Sequence, residues 1–319
     1  MYSGAGPTIF IILATPGCAW ALGNSGGCTM CSYISESMLK PMTSETMVNI
    51  FKELLGRYDI NEPTALKLFT SGSFLNTAEF PEDARDEILT IIADNENITE
   101  FIVESRPEYV TPESLESVCS KIPNKLFEVS MGLETSDDYI RNYRINKGFT
   151  CEDFEKAVTT IISFKDKYNV KSKAYILIKP ILTTEKEAIH DSIKTAHYCD
   201  DKGVDRISFC PSTVHKGTLM SELWYKGSYY PPRIWSVVEV LNEVRTTVSI
   251  PSVVDTSGFG TRRGPYNCKN CNMKLKKLIM KSNIKQDTIN DFKCDCKTEW
   301  IAETVYGDMC QSTSRLQYK

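Results

Sequence analysis

A chain of 319 residues, 41% hydrophobic and 24% charged, has the composition of an ordinary globular protein, long enough to bury one large core and carry a small appendage. It has no run of about 18 apolar residues, which excludes a membrane-spanning helix, and its first apolar run stops at Pro16-Gly17 with no basic region before it, unlike a signal peptide. A cytoplasmic protein with no membrane partner is expected, and the net charge of −4 gives no reason, taken over the whole chain, to expect a polyanionic partner.

Strand and helix signals then alternate. Residues 8–14 have the length and β-branched content of a buried first strand. Residues 66–70 read as the second strand, with a helix over 82–94, and residues 101–104 as the third, with a helix over 112–120. The fourth strand, 126–131, precedes a charged helical stretch ending near Lys147-Gly148, and 152–168 is helical by its apolar spacing. Residues 174–178 and 206–209 give strands five and six, separated by a helix over 185–201. Six such repeats with short connections predict an α/β fold with a parallel sheet, an open (β/α)6 partial barrel over residues 1–255.

The first strand leads directly into Cys18, Cys28 and Cys31, spaced Cys-x9-Cys-x2-Cys. The short pair fixes two ligands on one tight turn, while Gly23, Gly26 and Gly27 let the longer loop wrap the third around a bound group. Three thiolates can hold three irons of a 4Fe–4S cluster and leave the fourth open to a small molecule. The alternatives are three redox-inert thiols, or a three-cysteine zinc site completed by a histidine, although no histidine occurs before His190.

This strand, its Cys-x2-Cys loop and the aromatic Tyr33 two residues on resemble the radical S-adenosylmethionine (radical SAM) superfamily, in the long-spacer variant of its elongator-like, RNA-modifying branch. The superfamily's commonest spacing is Cys-x3-Cys-x2-Cys, so the chain departs at the first gap. The resemblance implies a 4Fe–4S cluster and S-adenosyl-L-methionine as cofactors, with Tyr33 among the residues around them. The strand ends carry groups suited to that sulfonium cofactor. After strand two, Ser71, Gly72 and Ser73 form a turn that resembles the superfamily's Gly-Gly-Glu element, but no acidic residue follows the glycine; backbone and hydroxyl oxygens would receive the cofactor's ammonium, or the segment is a plain turn. Glu104 ends strand three and would bind ribose hydroxyls or orient Arg106. Ser130 and Glu134 end strand four, and Arg141 or Arg144 would grip the cofactor carboxylate. Lys179 tops strand five, where unpaired burial of an ammonium is costly, so a cofactor or substrate contact is expected. His215 and Lys216 lie on a loop that either meets phosphate or is solvated.

Cys268 and Cys271, then Cys294 and Cys296, are two close thiol pairs suited to a tetrahedral four-cysteine site, with zinc favoured over a second iron–sulfur cluster. Of the 12 cysteines, the other five, Cys119, Cys151, Cys199, Cys210 and Cys310, are scattered singly and read as core or surface thiols. Arg262, Arg263, Lys269, Lys274, Lys276, Lys277, Lys281 and Lys285 have no Asp or Glu among them, so residues 256–319 read as a metal-stapled basic module for RNA, or as a solvated helix face.

Over nearly its full length the chain is similar to the archaeosine-biosynthesis family of radical SAM proteins. The residues that carry this include Val103-Glu104-Ser105-Arg106-Pro107, Gly132 to Asp138, Asn146 to Thr150, Lys216 to Leu219, Leu223-Trp224 with Pro231-Pro232 and Trp235-Ser236, and Arg263 to Cys268. The resemblance implies a tRNA-modifying carbon–nitrogen lyase that uses an electron donor. A lysine-transferring partner, the archaeosine synthase α subunit, would attach lysine to 7-cyano-7-deazaguanine in the tRNA D-loop. This chain would then abstract a hydrogen from the lysine part and break a carbon–nitrogen bond to leave archaeosine. Two other classes stay open: another radical SAM enzyme on tRNA, methylthiotransferase-like or elongator-like, and a non-catalytic zinc-stapled RNA-binding protein.

Overall fold

The computed structural model describes residues 6–33, 37 and 42–306; Cys310 lies outside them. Seven strands, β1 (Thr8–Leu13), β2 (Thr64–Thr70), β3 (Ile98–Glu104), β4 (Leu126–Glu134), β5 (Val170–Ile178), β6 (Arg206–Pro211) and β7 (Ser252–Val254), form one sheet in chain order, with every neighbouring pair parallel. Such a sheet has all its strand ends of one kind on one rim, and the loops after the strands gather there. Because β1 and β7 remain edges, the barrel is open.

The alternation along each strand decides what lies on either face. Ile9, Ile11 and Leu13 of β1, Leu66 and Leu68 of β2, and Phe101 and Val103 of β3 are buried in the main core. Helices Ser44–Leu55, Glu82–Asp94, Pro112–Cys119, Cys151–Phe164, Glu185–Asp201 and Ile234–Thr247 lie between successive strands in the chain. Thr111, Thr150 and Thr184 each cap the helix they precede through a reciprocal box, each such cap contributing about 1 kcal/mol.

Two expected helices keep their bounds, Glu82–Asp94 and Glu185–Asp201. The charged stretch before Lys147 is only one π-helical turn, Ile140–Arg144, because Asn146 and Gly148 take left-handed backbone conformations that end it. A seventh strand extends the six read from sequence; at three residues it is too short to carry a period-2 pattern.

The carboxyl-terminal segment closes the sheet edge. Asn283 accepts from the Val254 N–H at 2.9 Å and donates to its carbonyl at 2.8 Å, and Gln286 makes the same pair of contacts with Ser252 at 3.0 Å each. Side-chain amides therefore occupy the edge positions that a further strand would take. Leu275, Ile279 and Trp300 join the same core as the barrel strands.

The concave face is charged. Glu128 of β4, 2% exposed, pairs with Lys173 of β5 at 3.2 Å and with Arg206 of β6 at 2.5 Å. Burial opposes its ionisation, but the two cations outweigh this and hold its carboxyl below the usual range. Lys67 of β2, 5% exposed, lies 5.6 Å from the centroid of the Phe10 ring, and burial, with Lys173 and Arg206 nearby, lowers its pKa from 10.5 to about 7. Between those two values the unfolded chain holds a proton that the folded chain has released, so this group makes stability rise with pH across that window. Lys67→Met is expected to stabilise the fold by on the order of 1–2 kcal/mol at neutral pH and to flatten that rise. Denaturant unfolding of both proteins at neutral pH and at about pH 10 checks this; a variant less stable than the parent at neutral pH refutes it.

Candidate active site and metal centre

Among its described residues up to Ser32, the loop after β1 forms the single-turn helix Ala19–Leu22, and it is held from outside. Asn146, beyond β4, donates from its side-chain amide to the carbonyls of Ser25 at 2.9 Å and Gly27 at 2.7 Å, and its own carbonyl accepts from the Trp20 indole at 2.8 Å. Thr29 donates from its backbone to the Ile145 carbonyl and from its hydroxyl to the Arg144 carbonyl, both at 2.9 Å. Gly148 is required here, since a Cβ would fall 2.3 Å from the Trp20 ring. Cys28 and Cys31 close one turn, the Cys31 N–H meeting the Cys28 carbonyl at 3.1 Å. Cys18, Cys28 and Cys31 are all partly exposed and lie near enough that Cys18 disfavours ionisation of Cys28, and both disfavour ionisation of Cys31. Burial pushes the Cys28 thiol up and the Cys31 thiol to about 11, so deprotonating them calls for a strong local cation.

The turn after β2 supplies the acidic group that its sequence lacks. Glu79, 3% exposed, folds back so that its carboxylate accepts from the Ser73 N–H, from the Asn76 amide at 3.0 Å and from the Ala19 N–H of the cysteine loop at 2.9 Å. Gly72 permits this approach, because a Cβ there would meet the Glu79 carboxylate and the Gly17 carbonyl. Ser71, Gly72 and Ser73 thus lie against the cysteine loop. Their oxygens are partly used within the turn, Gly72 accepting from the Thr70 hydroxyl at 2.7 Å and the Ser73 hydroxyl from the Arg106 N–H at 3.1 Å.

The other strand-end residues divide into two sets. Glu104 faces Ser130 in register, is partly exposed, and has a raised pKa from burial, eased by a hydrogen bond with Tyr175 and by Lys173, Lys67 and Lys147. It does not orient Arg106, whose guanidinium pairs with Glu108 at 2.5 Å and lies 5.2 Å from the Trp20 and 5.5 Å from the Phe149 ring centroids. The buried Arg106 Nη2 has no hydrogen-bond partner, and its charge is felt at Cys28. Glu134, in a left-handed conformation, pairs with Lys147 at 2.7 Å.

Arg141, by contrast, is fully buried, bonded to the carbonyls of Thr135 at 2.6 Å and Phe149 at 3.0 Å and paired with Asp138, so it braces the segment after β4 and does not reach the mouth as a carboxylate grip. Arg144 stays partly exposed, 3.9 Å from Glu187. Lys179 is committed to Glu185 at 2.5 Å, and Glu185 in turn accepts from the Arg233 N–H at 3.2 Å and the Ser236 hydroxyl, tying β5 to the helix Ile234–Thr247. Tyr33 is 41% exposed. Glu79, Arg106 and Tyr175 were missed as site residues; the polar Asn76 and Glu79 at spacing three before Pro81 were the available signal for the first.

At the carboxyl end the ligand atoms of Cys268, Cys271, Cys294 and Cys296 lie within 4.8 Å of one another, a group that can hold a metal ion. The sulfur of Cys268 lies 3.4 Å from that of Cys271 and 3.6 Å from that of Cys294, that of Cys296 lies 3.6 Å from Cys271 and 3.5 Å from Cys294, and the Trp235 indole donates to the Cys296 sulfur at 3.4 Å. Cys271 immediately precedes the helix Asn272–Lys285, whose Lys274, Lys277, Lys281 and Lys285 are exposed at helical spacing while Leu275 and Ile279 are buried.

No family model matches the chain. It is 37% identical over 310 residues to the archaeosine synthase subunit beta of Methanosarcina acetivorans, covering 94% of this chain and 87% of that protein. It is 36% identical over 305 residues to the archaeosine synthase subunit beta of Thermococcus kodakarensis, covering 92% and 91%. An uncharacterised protein of Methanocaldococcus jannaschii is 39% identical over 307 residues, covering 93% of this chain and 82% of that protein. Among solved structures, Elp3 of Methanocaldococcus infernus matches with a TM-score of 0.53 at 14% identity, over 87% of this chain and 64% of that one. SuiB of Streptococcus suis, solved with S-adenosylmethionine, matches with a TM-score of 0.51 at 9% identity, over 80% and 52%. These two likenesses concern the fold alone, an open parallel α/β barrel, and among the described residues no helix is long and apolar enough to cross a membrane. By its sequence identity to the two archaeal proteins, the chain belongs to the archaeosine synthase subunit beta family.

Proposed function

We propose that this protein is a cytoplasmic radical SAM lyase that modifies tRNA. Acting after a lysine-transferring archaeosine synthase α subunit, it converts the lysine adduct of 7-cyano-7-deazaguanine in the D-loop into archaeosine. The observation that carries this reading is the three-thiol loop, mounted at the carboxyl-end rim of a parallel partial barrel in a chain of that family.

The residues at the rim suit a 4Fe–4S cluster and S-adenosyl-L-methionine. An all-sulfur donor set, a loop bent by Gly26 and Gly27 in left-handed conformations, and the orphaned Arg106 Nη2 beside Cys28 all fit an anionic group bound there. Cys18, Cys28 and Cys31 would hold the cluster, which supplies the electron that cleaves the sulfonium and generates the hydrogen-abstracting radical. Glu79, with Ser71, Gly72 and Ser73, is suited to the cofactor's ammonium. Arg106 or Arg144 is suited to its carboxylate, and Glu104, Ser130 and Glu134 to its ribose. Enclosure of the concave face by Lys67, Glu104, Lys173 and Tyr175 would keep water from the abstracted position.

Residues 256–319 act in this reading as the RNA-holding module. Four sulfur–sulfur distances of 3.4–3.6 Å, with all four sulfurs within 4.8 Å of one another, suit one tetrahedral ion, since metal–sulfur bonds of about 2.3 Å put sulfurs about 3.8 Å apart, whereas a four-iron cluster needs wider spacing; this favours zinc.

Replacing Cys18, Cys28 or Cys31 by alanine is expected to abolish reductive cleavage of S-adenosylmethionine with the secondary structure intact, read as 5′-deoxyadenosine formed by the anaerobically reconstituted protein. Persistent formation by the triple variant would sink the reading. Cys268→Ser should lose one equivalent of zinc by metal analysis and weaken tRNA binding while cofactor cleavage continues; unchanged metal content counts against the site. With reductant and S-adenosylmethionine, archaeosine should form from tRNA bearing the lysine adduct and not from adduct-free tRNA, as nucleoside analysis would reveal. A methylthiolated base, or no change in either RNA, would overturn the assignment.

A further inference from the structure

Beside the cysteine loop stands a cluster that the chemistry above does not use. Trp224 and Tyr225, at the end of the helix Leu219–Tyr225, meet edge to face at 5.0 Å. The Arg263 guanidinium lies 5.1 Å from the Trp224 centroid and 5.6 Å from that of Tyr225, and donates to the Tyr225 hydroxyl at 2.6 Å. Arg262 lies 5.5 Å from the Trp224 centroid. Tyr225 is 66% exposed, and among the described residues neither arginine forms an ion pair.

The cluster is rigidly placed. The Arg263 carbonyl accepts from the Val214 N–H at 2.7 Å, and Gly264 packs so closely on Gly258 that a Cβ would fall 2.2 Å from its carbonyl oxygen. Gly258 in turn lies against Thr213, in the loop after β6. At its other end the helix is tied to the thiol loop itself: the Met220 N–H donates to the carbonyl of Thr29, between Cys28 and Cys31, at 3.0 Å. Met30 and Trp224 pack on one apolar cluster with Met220, Val214, Ile181 and Tyr229.

Two unneutralised guanidinium groups and an exposed phenol ring, held without mobile linkers, combine phosphate attraction with a stacking face. We propose that Trp224, Tyr225, Arg262 and Arg263 form a platform for one unpaired nucleotide of the RNA, its base stacked on Tyr225 and its phosphate held by the arginines. Only a base without a stacked neighbour can use such a face, so the platform selects RNA locally opened next to the thiol loop. This rests on the reading of the protein as a tRNA-modifying enzyme.

The test is equilibrium binding of a tRNA transcript to the full-length, metal-loaded protein over a range of salt concentrations. Tyr225→Ala is expected to weaken binding about tenfold with the salt slope unchanged, and Tyr225→Phe to stay within about twofold of the parent, because it keeps the ring. Arg262→Gln should weaken binding and lower the salt slope by about one. Parent-like affinity in Tyr225→Ala, with the parent binding tRNA, overturns the platform alone. Parent-like tRNA affinity together with lost association with the α subunit assigns the surface to a protein partner and also overturns it. A parent protein that binds no tRNA overturns the platform and the proposed function together.

Discussion

The cysteine loop cannot hold its own shape, and the two side chains that hold it organise the mouth of the barrel. Apart from one helical turn, the backbone N–H and carbonyl groups of its described residues find few partners within the loop. Asn146 supplies partners from beyond β4, and Glu79 supplies one from beyond β2. A buried carboxylate or amide left unpartnered costs about 1–3 kcal/mol, so each side chain is itself fixed by the loop it fixes. The thiols are therefore positioned by rigid strands, although none of them lies on a strand. The same two contacts bring the Ser71 to Ser73 turn and the Arg144 to Asn146 segment to the thiols.

The concave face reflects a different constraint. In a closed barrel, layers of apolar side chains fill the interior. Here the sheet stays open, and Glu128, Lys173, Arg206, Lys67 and Glu104 share the interior instead. Glu128 between two cations is satisfied, whereas Lys67 has no carboxylate within ion-pair distance among the described residues and is pushed toward neutrality by burial. An interior of that kind sacrifices some stability, since a buried ammonium without a carboxylate partner is costly.

The described residues of the carboxyl-terminal segment share the core of the barrel. Cys271, Leu275, Ile279 and Trp300 enter the barrel core, the Arg233 guanidinium pairs with Glu303 at 2.5 Å, and Asn283 and Gln286 cover the edge of β7. The four-cysteine group and the lysine stripe are thereby fixed relative to the rim.

The sequence by itself determined the parallel α/β architecture, the bounds of two helices and the grouping of the cysteines. Those features are written in local periodicity and in close spacing, both of which act within a few residues. The four-cysteine centre was legible for the same reason: each pair is local, and only their meeting is long-range. Tertiary structure alone decided that Glu79 completes the turn after β2, that Arg106 lies near Cys28 while Arg141 braces the segment after β4, that Lys179 is consumed by Glu185, and that β7 exists at all. A carboxylate folding back six residues, an amide reaching a carbonyl 121 residues away and a three-residue strand leave no periodic trace in the chain, because their free energy comes from partners that only the assembled rim brings within hydrogen-bond distance.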